Sequence, residues 1–312
     1  MLKKILSIAV TILALGALLI YAWDNRELFA GLLDVDAGSL VCLAALWMVL
    51  MVLAGRRTQL FLTLFDVDLP VRACVGLEIA RTMTAYLVPL KGGQAMKALY
   101  LKKREGLPYT RFVTVLLASY PLEILAVAGT GTALALLMAL GSGVFDLGVL
   151  AGFLGLTVIT VVVLKVPLSI PASGNRFVEV LRRAVEGWKL LKEESASLRQ
   201  IVMLFVASCV ANGAQLFVAY RALSVDVGLS PALLVGALYT LTFITSVTPA
   251  TAGLAEAAVG FGSRLMGISF GEGVVAAVLV RAVNMVMTFL LGLAFTYVLS
   301  REGQEPVGDV GT

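Results

Sequence analysis

Hydrophobic residues run along this chain in long unbroken blocks, not in alternation. Six blocks predict membrane-crossing helices: Leu2–Ala22, Leu40–Ala54, Phe112–Leu140, Leu147–Leu164, Ile201–Leu223 and Val274–Leu299. A crossing needs about 20 apolar residues, because the hydrocarbon core is about 30 Å thick and a helix rises about 1.5 Å per residue. A β-barrel would alternate apolar and polar positions, and these blocks do not. Two further apolar stretches are broken. Val71–Leu101 is interrupted by Pro89, Gly92 and Gly93, and Pro231–Met266 by Pro249 and Gly253. Each is long enough for two half-helices and carries charge inside: Glu78, Arg81, Lys91 and Lys97 in the first, Glu256 and Arg264 in the second. Half-helix pairs that enter and leave by one face fit this pattern, because broken backbone at membrane depth must line a cavity or be buried in protein.

The basic residues choose the sidedness. With the N-terminus inside, the first block exits into a segment holding Asp24, Glu27, Asp34 and Asp36, with Arg26 its only base. The chain returns at Arg56 and Arg57, dips and comes back at Lys102, Lys103 and Arg104, and returns again at a basic stretch from Lys165 to Arg199. Nearly all Lys and Arg then lie inside, as orientation rules require. Reading either broken stretch as a single crossing would invert whatever follows it. The expectation is therefore an all-α polytopic membrane protein with about six full spans plus two re-entrant half-helix pairs in an inverted-topology repeat. Its single transmembrane domain covers residues 1–300, in halves 1–146 and 147–300. Both termini are expected on the cytoplasmic side of the cell membrane. Within 167–198, Phe177, Leu181, Ala184, Trp188 and Leu191 recur at helical spacing opposite Arg182, Arg183, Glu186 and Lys189. That segment reads either as an amphipathic helix on the cytoplasmic membrane surface or as a solvated linker between the halves. The tail 301–312 is polar and reads as disordered.

Composition sharpens this picture. Hydrophobic residues make up 60% and charged residues 14% of the 312, against about 45–50% and about 25% in soluble domains. No large soluble domain is expected. The net charge of +4 is small and points to no nucleic-acid partner. The chain has no histidine, which excludes histidine bases, ligands and proton relays. Cys42, Cys74 and Cys209 are far apart in apolar runs and suggest buried hydrophobes rather than metal ligands. No cofactor and no metal site is expected. The first block ends Leu-Ile-Tyr-Ala-Trp, without a small-x-small site, so an uncleaved first helix is the better reading than a signal peptide.

Charged groups at membrane depth are costly, so they carry the chemical information. Glu78 and Arg81, three apart, share a helix face. Glu123 follows Pro121 about 12 residues into its span, Arg281 lies similarly deep with Asn284 one turn on, and Asn212 and Gln215 share a face. Two ion pairs are expected, Lys97 with Glu123 and Glu256 with Arg281. They would lock each broken pair to a long span, line a polar cavity, or do both. The run from Pro89 through Lys91, Gly92, Gly93 and Gln94 to Lys97 combines close backbone approach, a half-helix N-terminus and cations, which suits a phosphate.

These residues also carry a resemblance. The chain resembles, from about residue 5 to 300, the transmembrane region of lysylphosphatidylglycerol synthases and their free-standing, flippase-like relatives. The first family motif, roughly P-x-x-x-G-E-x-x-R, meets Pro89, Gly93, Gln94 and Lys97 here, with Gln94 in place of the acid and Lys97 in place of Arg. The second, roughly P-x-G-x-G-x-x-E, meets Pro249, Gly253 and Glu256, with Thr251 in place of a Gly; Arg281 matches the family's downstream Arg. The resemblance implies a lipid-translocating fold with re-entrant pairs. The aminoacyl-transfer domain of the full synthases is not represented in the sequence, so no lysine transfer is expected and the chain is not expected to be an enzyme. The expected function is movement of a phosphate-bearing or anionic lipid between leaflets: a polyprenyl-phosphate-linked sugar, a polyprenyl phosphate or a phospholipid. An ion- or proton-coupled carrier of a small solute and a membrane-embedded transferase remain the alternatives. Membrane lipids are the expected partners, and a homodimer is left open.

Overall fold

In the computed structural model, residues 16, 26–88, 91–141, 146–165, 176–193, 195–245 and 251–302 are described. The expected first span, Leu2–Ala22, and the tail lie outside them, apart from Gly16 and the last helical residues. All regular structure among the described residues is helical. After a short turn of helix at Arg26–Ala30, the elements are α1 (Ala37–Thr63), α2 (Val71–Leu87), α3 (Gly92–Glu105), α4 (Tyr109–Gly141), α5 (Leu147–Lys165), α6 (Arg176–Glu193), α7 (Ser195–Ala222), α8 (Leu229–Thr245), α9 (Leu254–Leu265) and α10 (Phe270–Glu302).

Five of these, α1, α4, α5, α7 and α10, are long and apolar enough to cross a membrane. They include five of the six expected spans. Several are longer than the hydropathy blocks. α1 begins where Asp36 caps it, accepting from Ser39 N at 2.9 Å, and continues past Ala54 through Arg56 and Arg57 to Thr63. Hydropathy reads lipid contact, whereas the backbone ladder continues wherever its hydrogen bonds do. At 27 residues α1 is about 40 Å long, longer than the roughly 30 Å apolar core of a bilayer.

Both broken stretches are broken where expected. α2 and α3 are separated by a turn in which Lys91 takes a left-handed conformation (φ 63°). α8 and α9 are separated by a segment that includes Thr251 (φ 57°) and Gly253 (φ 81°). α2 and α8 have 17 residues each, α3 has 14 and α9 has 12. At about 1.5 Å per residue, all four fall short of a bilayer crossing. The two members of each pair pack on one another. Gly93 makes the first contact close: a Cβ there would meet Ala85 Cβ at 3.2 Å.

α1 packs on α7, and around them each short helix meets a long one. α2 lies against α10, and α8 lies against α4. α7 and α8 cross at Gly213 and Gly236, backbone against backbone: a Cβ on Gly213 would stand 2.7 Å from Leu233 Cα. The largest apolar cluster ties α7, α8, α9 and α10 together around Leu216, Tyr220, Val235 and Val259, with the Tyr220 and Ser263 hydroxyls 2.5 Å apart. The amphipathic α6 packs on α4 and is tied to α5 by Trp188, whose Nε1 donates to the Leu164 carbonyl at 3.0 Å.

Candidate functional site

A cavity of about 330 Å³ opens between α1, α2, α3, α4, α7, α8 and α10. Five cations line it, Arg57, Arg81, Lys91, Lys97 and Arg281, against two carboxylates, Glu78 and Glu123. Its apolar walls are largely aromatic, including Trp47, Phe61, Tyr86, Phe205 and Tyr239.

The charges differ in how far they are matched. Glu78, 4% exposed, sits at the centre of a cluster. Arg81 Nε donates to it at 2.5 Å, Thr58 Oγ1 at 2.5 Å, and Lys97 Nζ both to it and to Thr58 Oγ1, the latter at 2.7 Å. Lys97 therefore pairs with Glu78 and not, as expected, with Glu123. The reason is packing: α3 runs along α2 and touches α4 only slightly, so residue 97 faces residue 78. The other expected pair forms. Arg281 donates to both oxygens of Glu256, from Nη2 at 3.2 Å and from Nε more closely. Glu256 also accepts from Gly253 N at 2.8 Å, capping the start of α9.

Arg57, Lys91 and Glu123 have no ion pair among the described residues. Among the described residues, Arg57 makes no ion pair within 4 Å; its guanidinium stacks over the Phe205 ring at 4.2 Å. Glu123 makes neither an ion pair nor a hydrogen bond there, although Arg57, Arg81 and Lys91 are the cations whose field it feels. Lys91 is exposed and donates to the Tyr120 hydroxyl at 2.7 Å. Gln94 Oε1 is buried without a hydrogen-bond partner among the described residues. Such an acceptor costs about 1–3 kcal/mol unless something donates to it.

The model of one protein family, the lysylphosphatidylglycerol synthase TM region, matches residues 4–292. The chain belongs to that family. No curated protein and no solved structure matches it significantly.

In this member of the lysylphosphatidylglycerol synthase TM region family, the first motif turn reaches the cavity through Lys91, Gly93, Gln94 and Lys97, while Gly92 stands beside the wall residue Val88. Arg81, Glu123, Asn212, Arg281 and Asn284 also line it. Gln215 and Glu256 stand behind the wall. Gln215 is fully buried and donates to the Leu43 carbonyl at 3.1 Å and to Asn284 Oδ1 at 2.9 Å, while Asn212 donates to Thr240 Oγ1 at 3.2 Å. These amides fix α7 against α1, α8 and α10. Gly253 serves the Glu256 cap. Pro89 and Pro249 lie outside the described residues. Reading the sequence missed Arg57, Thr58 and the aromatic wall. Arg57 was counted with the cytoplasmic bases because the apolar block ends at Ala54; the signal available was helical phase, since Arg57 falls ten residues after Trp47 and three after Ala54, both buried. Among the described residues no three acidic, cysteine or histidine side chains gather as metal ligands would.

Proposed function

We propose that this family member moves a phosphate-bearing or anionic lipid between the leaflets of the cell membrane, without covalent chemistry. The observation that carries this is the cation excess of a cavity enclosed by the apolar helices, in which Arg57 has no carboxylate of its own among the described residues. An unpaired guanidinium at low dielectric favours an anion strongly, and its fork suits phosphate oxygens. Gln94 Oε1 adds an acceptor for a headgroup hydroxyl or amine. The volume falls in the range of small-ligand pockets, about 300–1,000 Å³. That suits a headgroup and leaves acyl chains outside among the lipids. The aromatic wall is amphipathic in the way such a boundary requires.

The transport reading takes the two broken helix pairs as re-entrant hairpins and the halves as an inverted repeat, with both termini cytoplasmic. Matched lengths support it: 17 residues for α2 and α8, 33 for α4 and α10. So does the exchange of partners, in which each hairpin's first arm rests on the long helix of the other half. Transporters with such repeats bind at the repeat interface near mid-membrane.

The test is reconstitution of the full chain into vesicles with a headgroup-labelled anionic phospholipid, following loss of dithionite-accessible fluorescence. The wild type should move the anionic lipid faster than empty vesicles, and Arg57→Gln at least about tenfold more slowly, as loss of a charge-assisted hydrogen bond of about 1.5–3 kcal/mol implies. Movement no faster than in empty vesicles, or a wild-type rate in Arg57→Gln, would overturn the proposal.

A further inference from the structure

Three carboxylates line the cavity or pair with a cation that lines it, Glu78, Glu123 and Glu256, and two of them are fully engaged. Glu78 takes Lys97, Arg81 and Thr58, and Glu256 takes Arg281 and the Gly253 amide. Glu123, in the middle of α4 and on the cavity wall, takes none among the described residues. A carboxylate at membrane depth without a donor or a contact cation is poorly held as an anion, while its neutral form costs far less.

Its surroundings narrow what could titrate there. From α1 it faces Arg57, and from α2 Tyr86 and the paired Arg81 and Glu78. The turn contributes Lys91, α3 the paired Lys97, and its own helix Tyr120. α8 brings Tyr239 and α10 Arg281, held by Glu256. From α7 the cavity receives Phe205, Ser208 and Asn212, none of which titrates. On α6, which packs against the same helix, Glu179 and Glu186 pair with Arg182 and Arg183, leaving Lys189 and Lys192 exposed. With no histidine in the chain, Glu123 is the carboxylate on the cavity wall that no cation contact or hydrogen-bond donor among the described residues holds ionised.

We propose that Glu123 is a proton-binding site coupled to the anion site, so that the chain takes up a proton together with its anionic lipid. This rests on the transport reading above. Ionised Glu123 repels an incoming phosphate and draws on the field of Arg57 and Lys91. A proton from water, added to one carboxylate oxygen, removes both effects. By reciprocity, a bound anion raises the proton affinity of Glu123, so binding absorbs a proton and tightens as pH falls. One proton per lipid corresponds to about tenfold in affinity per pH unit at the steepest point.

The experiment titrates short-chain phosphatidylglycerol, whose phosphodiester stays ionised throughout, into the detergent-solubilised full chain by calorimetry between pH 6 and pH 8. Buffers of different ionisation heat give the protons absorbed. Wild type should bind more tightly at low pH with net proton uptake, and Glu123→Gln should bind with little pH dependence and no uptake. Wild-type binding that ignores pH, or a pH dependence that persists in Glu123→Gln, would overturn the proton site while leaving the anion site standing. Absence of wild-type binding at every pH would instead overturn the anion site, and the proton site with it. If Glu123→Gln fails to fold, the wild-type proton count decides alone: uptake near one supports the proposal and zero refutes it.

Discussion

At the scale of single residues, the charges within the apolar helices divide into those paired with one another and those without an ion pair among the described residues. Arg281 and Glu256 belong to the first kind. Removing one member of a buried pair strands the other charge, at a cost of about 3–5 kcal/mol. Arg281→Met should therefore lower thermal stability in detergent much more than Arg281→Met combined with Glu256→Gln. The amide keeps an oxygen for the Gly253 N–H and leaves no stranded charge. Additive losses in the double-mutant cycle would show that the pair contributes no coupling. This pair was legible in the sequence because two motif positions carried opposite charge at similar depth. The partner of Lys97 was not, because it depends on which helix α3 lies along, and no spacing rule conveys that. Arg57 was hidden for a different reason. Hydropathy falls at Ala54, yet the helix runs nine residues further and turns Arg57 inward.

At the scale of elements, the contacts that matter most are those made without side chains. Gly213 and Gly236 bring α7 and α8 together at their backbones, so Gly236→Ala should cost about 1–3 kcal/mol by overpacking. Gly129, in α4, has open space where its Cβ would go, and Gly129→Ala should be neutral or stabilising by up to about 1 kcal/mol through helix propensity. Thermal melts of the two variants in one detergent would separate these effects; equal shifts would deny the close crossing. α6 makes a pH prediction. Hydrogen bonds from Arg182 and Arg183 hold Glu179 well below the usual carboxylate range, at about 2. A depressed carboxylate favours the folded form above its unfolded value and loses that contribution as pH falls through the folded one. The Glu179 carboxyl carbon signal should thus stay unchanged from pH 7 to pH 4, and Arg182→Gln should move its titration upward. Helix breaks were legible in Pro and Gly placement; the tight helix crossings were not, since a glycine in an apolar run looks the same whether it faces lipid or another backbone.

At the scale of the whole molecule, the bases along the chain predict sidedness, and accessibility can check it. With Cys42 first replaced, cysteines at Asp34 and Asp226 should react with an impermeant reagent in intact cells, and cysteines at Lys103 and Lys189 should not. Labelling at Lys103 from outside would mean that α2 and α3 together cross the membrane. The order of the five described long helices was readable because each must be apolar for about 20 residues. The way the halves interlock was not readable, since it lies in pairings between segments more than a hundred residues apart. One of those pairings is uneven. The second arm of the later hairpin, α9, packs broadly on α10, whereas α3 barely touches α4. Among the described residues α3 is therefore held mainly along α2, beside the cavity that carries Arg57 and Glu123. Backbone amides of 92–105 should accordingly exchange with deuterium faster than those of 254–265, and a disulfide stitching α3 to α4 would shut the cavity while leaving every charge within it in place.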